Sequence, residues 1–474
     1  AHPDISGLEG LFHTVDLKVT GSLDLNLGGF VLAAGTFDLT QQSDVDVDDG
    51  FGIVLDGASV LVIRLSEVHL FIGMDGAFDR DPLTQIVQGL DLETNNAVGF
   101  YATGASLDLA LIGDPATSRS WVGVAAHVDL VSVAGLPEDF VFKVRDLDLL
   151  YNIAAADGST LHWQGLAATN DAIAETELDR MDSSIELRVA GDLMITIANF
   201  VYLSGGIALE RRELFAKTEG GSASTPMSLL AFGADDFRAF VGIGDADSDD
   251  DDEVDDIALL QQNALGVALQ IDELALVLMK PVAATGEPPS TKSYLALKAS
   301  GAAALVGIDD VILEGRLNLS INQGRDGEAS APAIDFAASA VANPSAYGSA
   351  SGLKVATGPA PEDFVIVGFA GEVLEASGFV TLGIADFVHL SGQFAFSRSE
   401  AVAVQLTDGT PKTVNVLEIG ASGVEMFVGV GGPDPAADRA MGFALSDAEF
   451  AQALATPDAE LHPGDTTSYY ALKA

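Results

Sequence analysis

Apolar and polar residues alternate along much of this chain. Residues Val15 to Leu27 read VDLKVTGSLDLNL, with an apolar residue or glycine at every odd position. Ile185 to Ile197 (IELRVAGDLMITI) does the same, with Ala190 and Met194 on the otherwise polar side. Val311 to Ile321 (VILEGRLNLSI) follows suit apart from Ile312. A period of two over this length predicts strands with one face on a core and one in water. Leu17, Leu23, Leu187, Leu193, Leu317 and Leu319 are therefore expected inside, with Asp16, Lys18 and Glu186 outside. The less polar run Ser59 to Leu65 (SVLVIRL) predicts a strand covered on both faces.

Turn-forming clusters punctuate these runs: Asp48-Asp49-Gly50, Asp157-Gly158, Asn322-Gln323-Gly324 and Asp408-Gly409. Such residues tolerate positive φ and suit tight hairpins. The Pro/Gly/Ser-rich stretch Asn343 to Pro361 and the turn Thr285 to Thr291, with Glu287-Pro288-Pro289, read as loops. Leu445 to Leu454 (LSDAEFAQAL) carries Ser446 and Glu449 at capping-box spacing. Its counterparts, Ala105 to Ile112 and Asp272 to Leu278, alternate or are continuously apolar, so a strand is expected there.

Four words recur in constant order, and they define a repeat. Phe387 to Gly392 (FVHLSG) returns as Phe200 to Gly205 (FVYLSG) and, more worn, as Phe30 to Gly35 (FVLAAG). The second word is Phe71-Ile72-Gly73, Phe240-Val241-Gly242 and Phe427-Val428-Gly429. The third is Val98-Gly99-Phe100, Leu265-Gly266-Val267 and Met441-Gly442-Phe443. The fourth is Ser120-Trp121, Ser293-Tyr294 and Ser468-Tyr469. Equivalent words should occupy equivalent strands, with Phe30, Phe200 and Phe387 in matching core positions. The reading is all-β: an elongated tandem array of mostly antiparallel units, sandwich- or solenoid-like. Its units are residues 1–180, 181–363 and 364–474, the last incomplete, with on the order of ten strands per unit.

Charge narrows the partners. The 474 residues hold 70 acidic against 22 basic side chains, a net charge of −48. A nucleic acid backbone needs a basic footprint, so nucleic acid is not an expected partner. Anionic membrane surfaces are disfavoured for the same reason. With no cysteine, no disulfide or thiolate metal site can form. No run of 18 apolar residues marks a transmembrane segment. The opening AHPDISGLEG lacks the basic and apolar regions of a signal peptide.

The loop after the second word varies most: Met74 to Pro82, Ile243 to Asp256 and Val430 to Arg439. In the middle copy Asp245, Asp247, Asp249, Asp251, Glu253 and Asp256 fall at positions 1, 3, 5, 7, 9 and 12 of an EF-hand-like register. Alternating carboxylates on a tight loop can converge on a hard cation, and Ca²⁺ takes six to eight oxygens. Position 6 is Asp250 rather than glycine, position 12 is Asp rather than Glu, and the flanks read as strands. A solvated acidic loop is the competing reading. Asp44, Asp46, Asp48 and Asp49 read as the solvent side of a strand. Asp75, Asp79, Asp81 and Asp434, Asp438 are too few to form sites alone. His69 and His389 sit within apolar strands with rings satisfied locally. Ser204 and Ser391 lack a histidine at a fixed repeat position, and no catalytic constellation emerges. Gly242-Ile-Gly244 and Gly429-Val-Gly431 lead into carboxylates, which a phosphate cradle excludes.

The words ASGFVTLGIADFVHLSGQFAF, GASGVEMFVGVGGP, GFALSDAEF and SYYALKA resemble the tandem units of very large secreted bacterial proteins, grouped with RTX-type exoproteins and adhesins. The resemblance spans nearly the whole chain and is best from Val365 onward. Consensus Gly-Gly-x-Gly-x-Asp nonapeptides are absent. It implies a structural module of an extracellular or cell-surface bacterial protein, an adhesin stalk, matrix component or filament, and not an enzyme. Its partners would be neighbouring units or further copies head-to-tail, completing the edge near Tyr470. The alternative is a secreted carrier with an apolar β groove or tube for lipid-like cargo, marked by a continuous apolar lining.

Overall fold

A computed structural model describes residues 15–28, 30–94, 96–137, 139–249, 251, 253–283, 288–385, 387–432, 440–458, 461–462 and 464–474. The segment AHPDISGLEG, Asp250, Glu287, Asp434 and Asp438 lie outside them. The chain divides into two compact units, where the sequence marks three repeats. The first holds residues 1–198, 206–214 and 358–363; the second holds 199–205, 215–357 and 364–474.

The first unit contains β1 (Leu17–Leu27), β2 (Val31–Asp48), β3 (Val54–Met74), β4 (Ala77–Arg80), β5 (Val87–Asp91), β6 (Val98–Asp114), β7 (Arg119–Ala134) and β8 (Phe140–Ile153). Helices α1 (Trp163–Ala167) and α2 (Asp171–Ala174), a 3₁₀ turn (Glu177–Arg180) and β9 (Ile185–Ile197) follow. Strands β1–β2–β3–β6–β7–β8–β9 form one antiparallel ladder in that order. Residues of β10 (Val201–Thr218) belong to both units.

The second unit contains β11 (Thr225–Gly244), α3 (Ile257–Asn263), β12 (Ala264–Pro281), β13 (Lys292–Val306), β14 (Val311–Asp326), β15 (Ala329–Ala331) and β16 (Ile334–Asp335). Then come α4 (Phe336–Ala342), α5 (Pro344–Tyr347), β17 (Leu353–Ala356), β18 (Phe364–Val367), β19 (Val373–Ile384), β20 (Val388–Gln405), β21 (Pro411–Val430), β22 (Met441–Pro457) and β23 (Tyr469–Lys473). Its ladder runs β11–β12–β13–β14–β19–β20–β21–β22–β23, again antiparallel throughout. The fold is all-β, as the alternation predicts, and Leu445 to Leu454 lies in strand β22.

The long strands repeat in sixes rather than tens. Strands β1, β2, β3, β6, β7 and β8 have 11, 18, 21, 17, 16 and 14 residues. Strands β9 to β14 have 13, 18, 20, 18, 15 and 16. Strands β19 to β22 have 12, 18, 20 and 17. Few but long strands carry the spacing that suggested many short ones. Asn322-Gln323-Gly324 lies inside β14, paired with β13 in unbroken register, and not in a turn.

Each repeated word marks a backbone constraint. The carbonyls of Phe30, Phe200 and Phe387 accept hydrogen bonds of 2.9 Å from Gly73, Gly242 and Gly429. These phenylalanines are equivalent, but they are 57, 47 and 53% exposed instead of core. The glycine ending the first word faces a bulge on the next strand. There Glu67, Asp236 and Gly423 adopt φ of 53, 44 and 56°, the left-handed region that bulges use. A Cβ on Gly35, Gly205 or Gly392 would meet the following Cα, that of Val68, Phe237 or Val424, at 3.3, 2.5 and 3.1 Å. The second and third words pair: Gly73 with Gly99, Gly242 with Gly266, Gly429 with Gly442. The buried rings of Phe71, Phe240 and Phe427 lie over these glycine pairs.

One sheet face, the inner one, is covered by the chain's own insertions. Val60, Val62, Ala110, Ile112, Trp121 and Leu150 pack under Trp163, Leu166, Ile173, Leu178 and Met181 from the segment between β8 and β9. Trp163 donates through Nε1 to buried Asn152 (2.9 Å), whose Nδ2 donates to Leu161 O (2.9 Å). The hairpin β4–β5 covers Leu32 and Phe71 with Phe78 and Leu90. In the second unit β16, α4, α5, β17 and β18 occupy the stretch between β14 and β19. Part of Asn343 to Pro361 is therefore helix and strand instead of loop, anchored by fully buried Tyr347.

Among the described residues the other face has no such cover within its own unit, and this overturns the expected burial of the alternating leucines. Leu17, Leu23 and Leu317 are 46, 62 and 56% exposed, and Leu187, Leu193 and Leu319 are half-buried. Register places them in rows of apolar neighbours, such as Val19, Leu39, Ile63, Leu109, Val124, Tyr151 and Leu187 across the first ladder. Alternation correctly separates the faces, but the lids cover the mixed inner face and leave the apolar outer face open.

Candidate functional site

The acidic loop after β11 is built as a lid on the inner face. Ala246 and Val254 are buried against Phe240 and Leu260. The Val254 N–H donates to Ser204 Oγ (2.8 Å), in the first repeat word. Buried Asp255 accepts from the Ser248 N–H (3.2 Å), and its own N–H donates to Ala246 O (2.8 Å). The structure thereby assigns anchoring roles to Ser204 and Asp255, which no carboxylate register singles out.

The six carboxylates of the EF-hand-like register part company. Asp247, Asp249 and Asp251 bring one oxygen each within 4.8 Å of one another. Asp245 stands outside this group and accepts from the Asp247 N–H (3.3 Å). Asp247 and Asp251 accept from the N–H groups of Asp251 (3.0 Å) and Glu253 (2.8 Å). Glu253 lies 3.7 Å from Arg238, which also donates to Val254 O (3.0 Å). Asp256 is the N-cap of α3, accepting from the Leu259 N–H (2.9 Å). The loop is flanked by a strand and a helix, where sequence suggested two strands. Three carboxylates on an exposed turn offer a hard cation fewer protein oxygens than the six to eight of a full Ca²⁺ shell.

The other candidates are structural in geometry. Asp49 is buried and accepts from Phe51 (2.8 Å), Ile53 (3.0 Å) and His162 (3.3 Å) N–H groups, closing the β2–β3 turn. Asp46 and Asp48 accept from the N–H groups of Gly57 (3.4 Å) and Gly50 (2.8 Å), and Asp44 forms a bulge with φ of 56°. Asp81 binds the N–H groups of Leu83 and Thr84, and these bonds hold its carboxyl below the usual range. His69 has a buried Nδ1 with no partner among the described residues, contrary to the expectation of local satisfaction.

A second candidate is visible only in three dimensions. On the open face of the second unit the sheet surrounds an apolar cavity of about 600 Å³. Its walls are Leu274, Leu317, Leu319, Phe394, Phe396 and Ile419. Its floor is Ala299, Gly301, Gly315, Ala376 and Gly378. Register explains the assembly: Leu274, Ala299, Leu319, Ala376, Phe396 and Ile419 form one cross-strand row, and Gly301, Leu317, Gly378 and Phe394 form the next. Gly301 and Gly378 cannot carry a Cβ, which would meet Gln270 O at 2.3 Å and Arg316 O at 2.1 Å. The floor is thus kept low by backbone crowding.

No protein-family model matches this chain, and no curated protein matches it. No helix among the described residues is long and apolar enough to cross a membrane.

Proposed function

We propose that this chain is a structural module of a bacterial extracellular surface protein, an adhesin stalk, matrix component or filament, rather than an enzyme. One observation carries the reading. The last strand of a repeat pairs with the first strand of the next in the same way twice, β8 with β9 and β14 with β19. Repeats joined by a full ladder extend one another edge to edge instead of hanging on linkers. Each added repeat contributes its own stability plus a nearest-neighbour interface. The acidic surface and the repeat words that resemble secreted bacterial exoproteins support the same reading. The partners are then neighbouring repeats or further copies of the chain. Calcium, where it takes part, is assigned to Asp247, Asp249 and Asp251.

Hydrogen exchange on the whole chain tests the joints. Amides of β8–β9 and β14–β19 should exchange as slowly as those of β2–β3 and β20–β21. Rapid exchange confined to the joints would mean independent beads and would overturn the proposal. Protease treatment of intact cells tests the location: the module should be digested while cytoplasmic proteins survive.

A further inference from the structure

Building on the reading of the chain as repeats joined edge to edge, we propose that the outer edge of β1 is the docking site for the last strand of a further repeat of this kind. Among the described residues β1 pairs on one side only, with β2. Its counterparts β9 and β19 open the second and third repeats. Leu27, Ile197 and Ile384 end the three strands, each three residues before Phe30, Phe200 or Phe387. Leu27 also pairs with Val31 as Ile384 pairs with Val388. At the edge where β1 is bare, β9 holds β8 and β19 holds β14. The two joints share a register. One runs from Phe140 opposite Ile197 to Arg145 opposite Asp192, the other from Val311 opposite Ile384 to Arg316 opposite Phe379. Carried onto β1, the incoming strand starts opposite Leu27 and brings its arginine opposite Ser22.

A glycine gives the second argument. A Cβ on Gly191 would meet the carbonyl oxygen of Arg145 at 3.2 Å, and one on Gly378 would meet that of Arg316 at 2.1 Å. Both glycines therefore let the incoming backbone approach. β1 carries glycine at the same place, Gly21. The nearest neighbours of a Cβ there are atoms of the Phe37 ring, the closest at 3.0 Å, and not a partner's backbone. The room that the other two first strands make for an arginine carbonyl is thus present in β1 as well.

The edge itself gives the third. A bare edge is a template for strand addition, and proteins that keep one free blunt it with proline, lysine or a bulge. β1 has no proline, and its register with β2 is unbroken. Its one lysine, Lys18, is drawn onto Asp38 of β2 (3.3 Å). Leu23 is 62% exposed where its counterparts are half-buried (Leu193) and 38% exposed (Val380). The difference is surface that an incoming strand covers. Asp24, which would face Glu314 of a β14-type strand, is already neutralised by Arg80 (2.5 Å).

Disulfide trapping tests the site and its register together, since the chain has no native cysteine. The probe is a synthetic peptide of Val311–Asp326 carrying Leu313→Cys, in glutathione buffer whose oxidised form takes up the two electrons. It should link to the whole chain carrying Leu25→Cys at least about tenfold more than to Leu23→Cys or Leu27→Cys. Residues directly opposite meet disulfide geometry, and diagonal neighbours do not. Moving the peptide cysteine to position 311 or 315 should move the link to Leu27→Cys or Leu23→Cys. Gly21→Ala should weaken linking by at least about tenfold. No link above that of a scrambled peptide, or equal links at the three β1 positions, would overturn the proposal. So would an equal link to Leu111→Cys on the open face of β6, which would mean adhesion to that face. Linking unchanged by Gly21→Ala would overturn the role given to Gly21. Rapid hydrogen exchange at the internal joints would sink the underlying reading, whereas slow joints with no trapped peptide would sink the docking site alone.

Discussion

Gly242 and Gly266 face each other across β11 and β12 so closely that a Cβ on either would come within 2.8 Å of the other's Cα. The ring of Phe240 lies over the pair, its Cζ 2.5 Å from where a Gly242 Cβ would stand. The same arrangement joins Gly73 to Gly99 under Phe71, and Gly429 to Gly442 under Phe427. Two of the four repeated words are therefore the two halves of a single contact.

Gly242→Ala is expected to destabilise the chain by about 1–3 kcal/mol, the range for overpacking a filled interior. The ring must move, and the backbone carbonyl of Leu265, 2.2 Å from the added carbon, cannot. Gly89→Ala is the control, since a Cβ there meets nothing within 4 Å. Chemical denaturation of the two variants measures the difference. Equal stability would show that the glycine pair is not a constraint.

The lid between β8 and β9 depends on Trp163, fully buried above Gly123, where a Cβ would lie 2.6 Å from the indole. Trp163→Ala should cost about 3–5 kcal/mol, as for other large buried aromatics. Gly123→Val should push the lid away without removing any apolar surface, shifting the tryptophan emission of the folded protein to the red. Unchanged emission would place the lid's stability elsewhere.

His127 gives the first unit a pH response. Its Nδ1 is 2.9 Å from Asp148 and its Nε2 is 3.2 Å from Asp129, while Arg180 holds Asp148 through both oxygens at 3.2 and 2.7 Å. Burial alone lowers the imidazole pKa, but the hydrogen bonds and charges of Asp148 and Asp129 outweigh it, leaving the value raised. A raised folded-state pKa contributes stability that is complete below the ordinary histidine value of about 6.5. That contribution fades as pH climbs through the folded value. His127→Gln should therefore lower the melting temperature most in mild acid and progressively less on the alkaline side. A deficit independent of pH would contradict the linkage.

The calcium expectation narrows from six residues to three. Millimolar Ca²⁺ at constant ionic strength should raise the melting temperature above that in chelator. Asn at positions 247, 249 and 251 together should remove the increment, since a ligand stabilises only through the state that binds it. Monovalent salt should stabilise both proteins by screening a net charge of −48. A rise of equal size in the triple variant would reduce the effect to screening.

Much of the architecture is written locally. The period-two runs that became β1, β9 and β14 identify strands, because side chains of a strand alternate faces wherever the strand lies. The four repeated words identify the equivalences, because glycine at a close approach or beside a bulge is a backbone requirement that each repeat must meet afresh. Only the tertiary structure decided which face the strands bury. Leu17, Leu23 and Leu317 alternate like core residues, yet they lie on the open side, since the covering segments come from insertions whose docking no local period encodes. The acidic register shows the same division. Spacing along the loop suggested six ligands, but folding turned Asp256 into a helix cap, placed Glu253 near Arg238 and left three carboxylates together. The apolar cavity has no linear signature at all: its longer row draws one residue from each of six strands, and only the pairing register brings Leu274 and Ile419 onto one face.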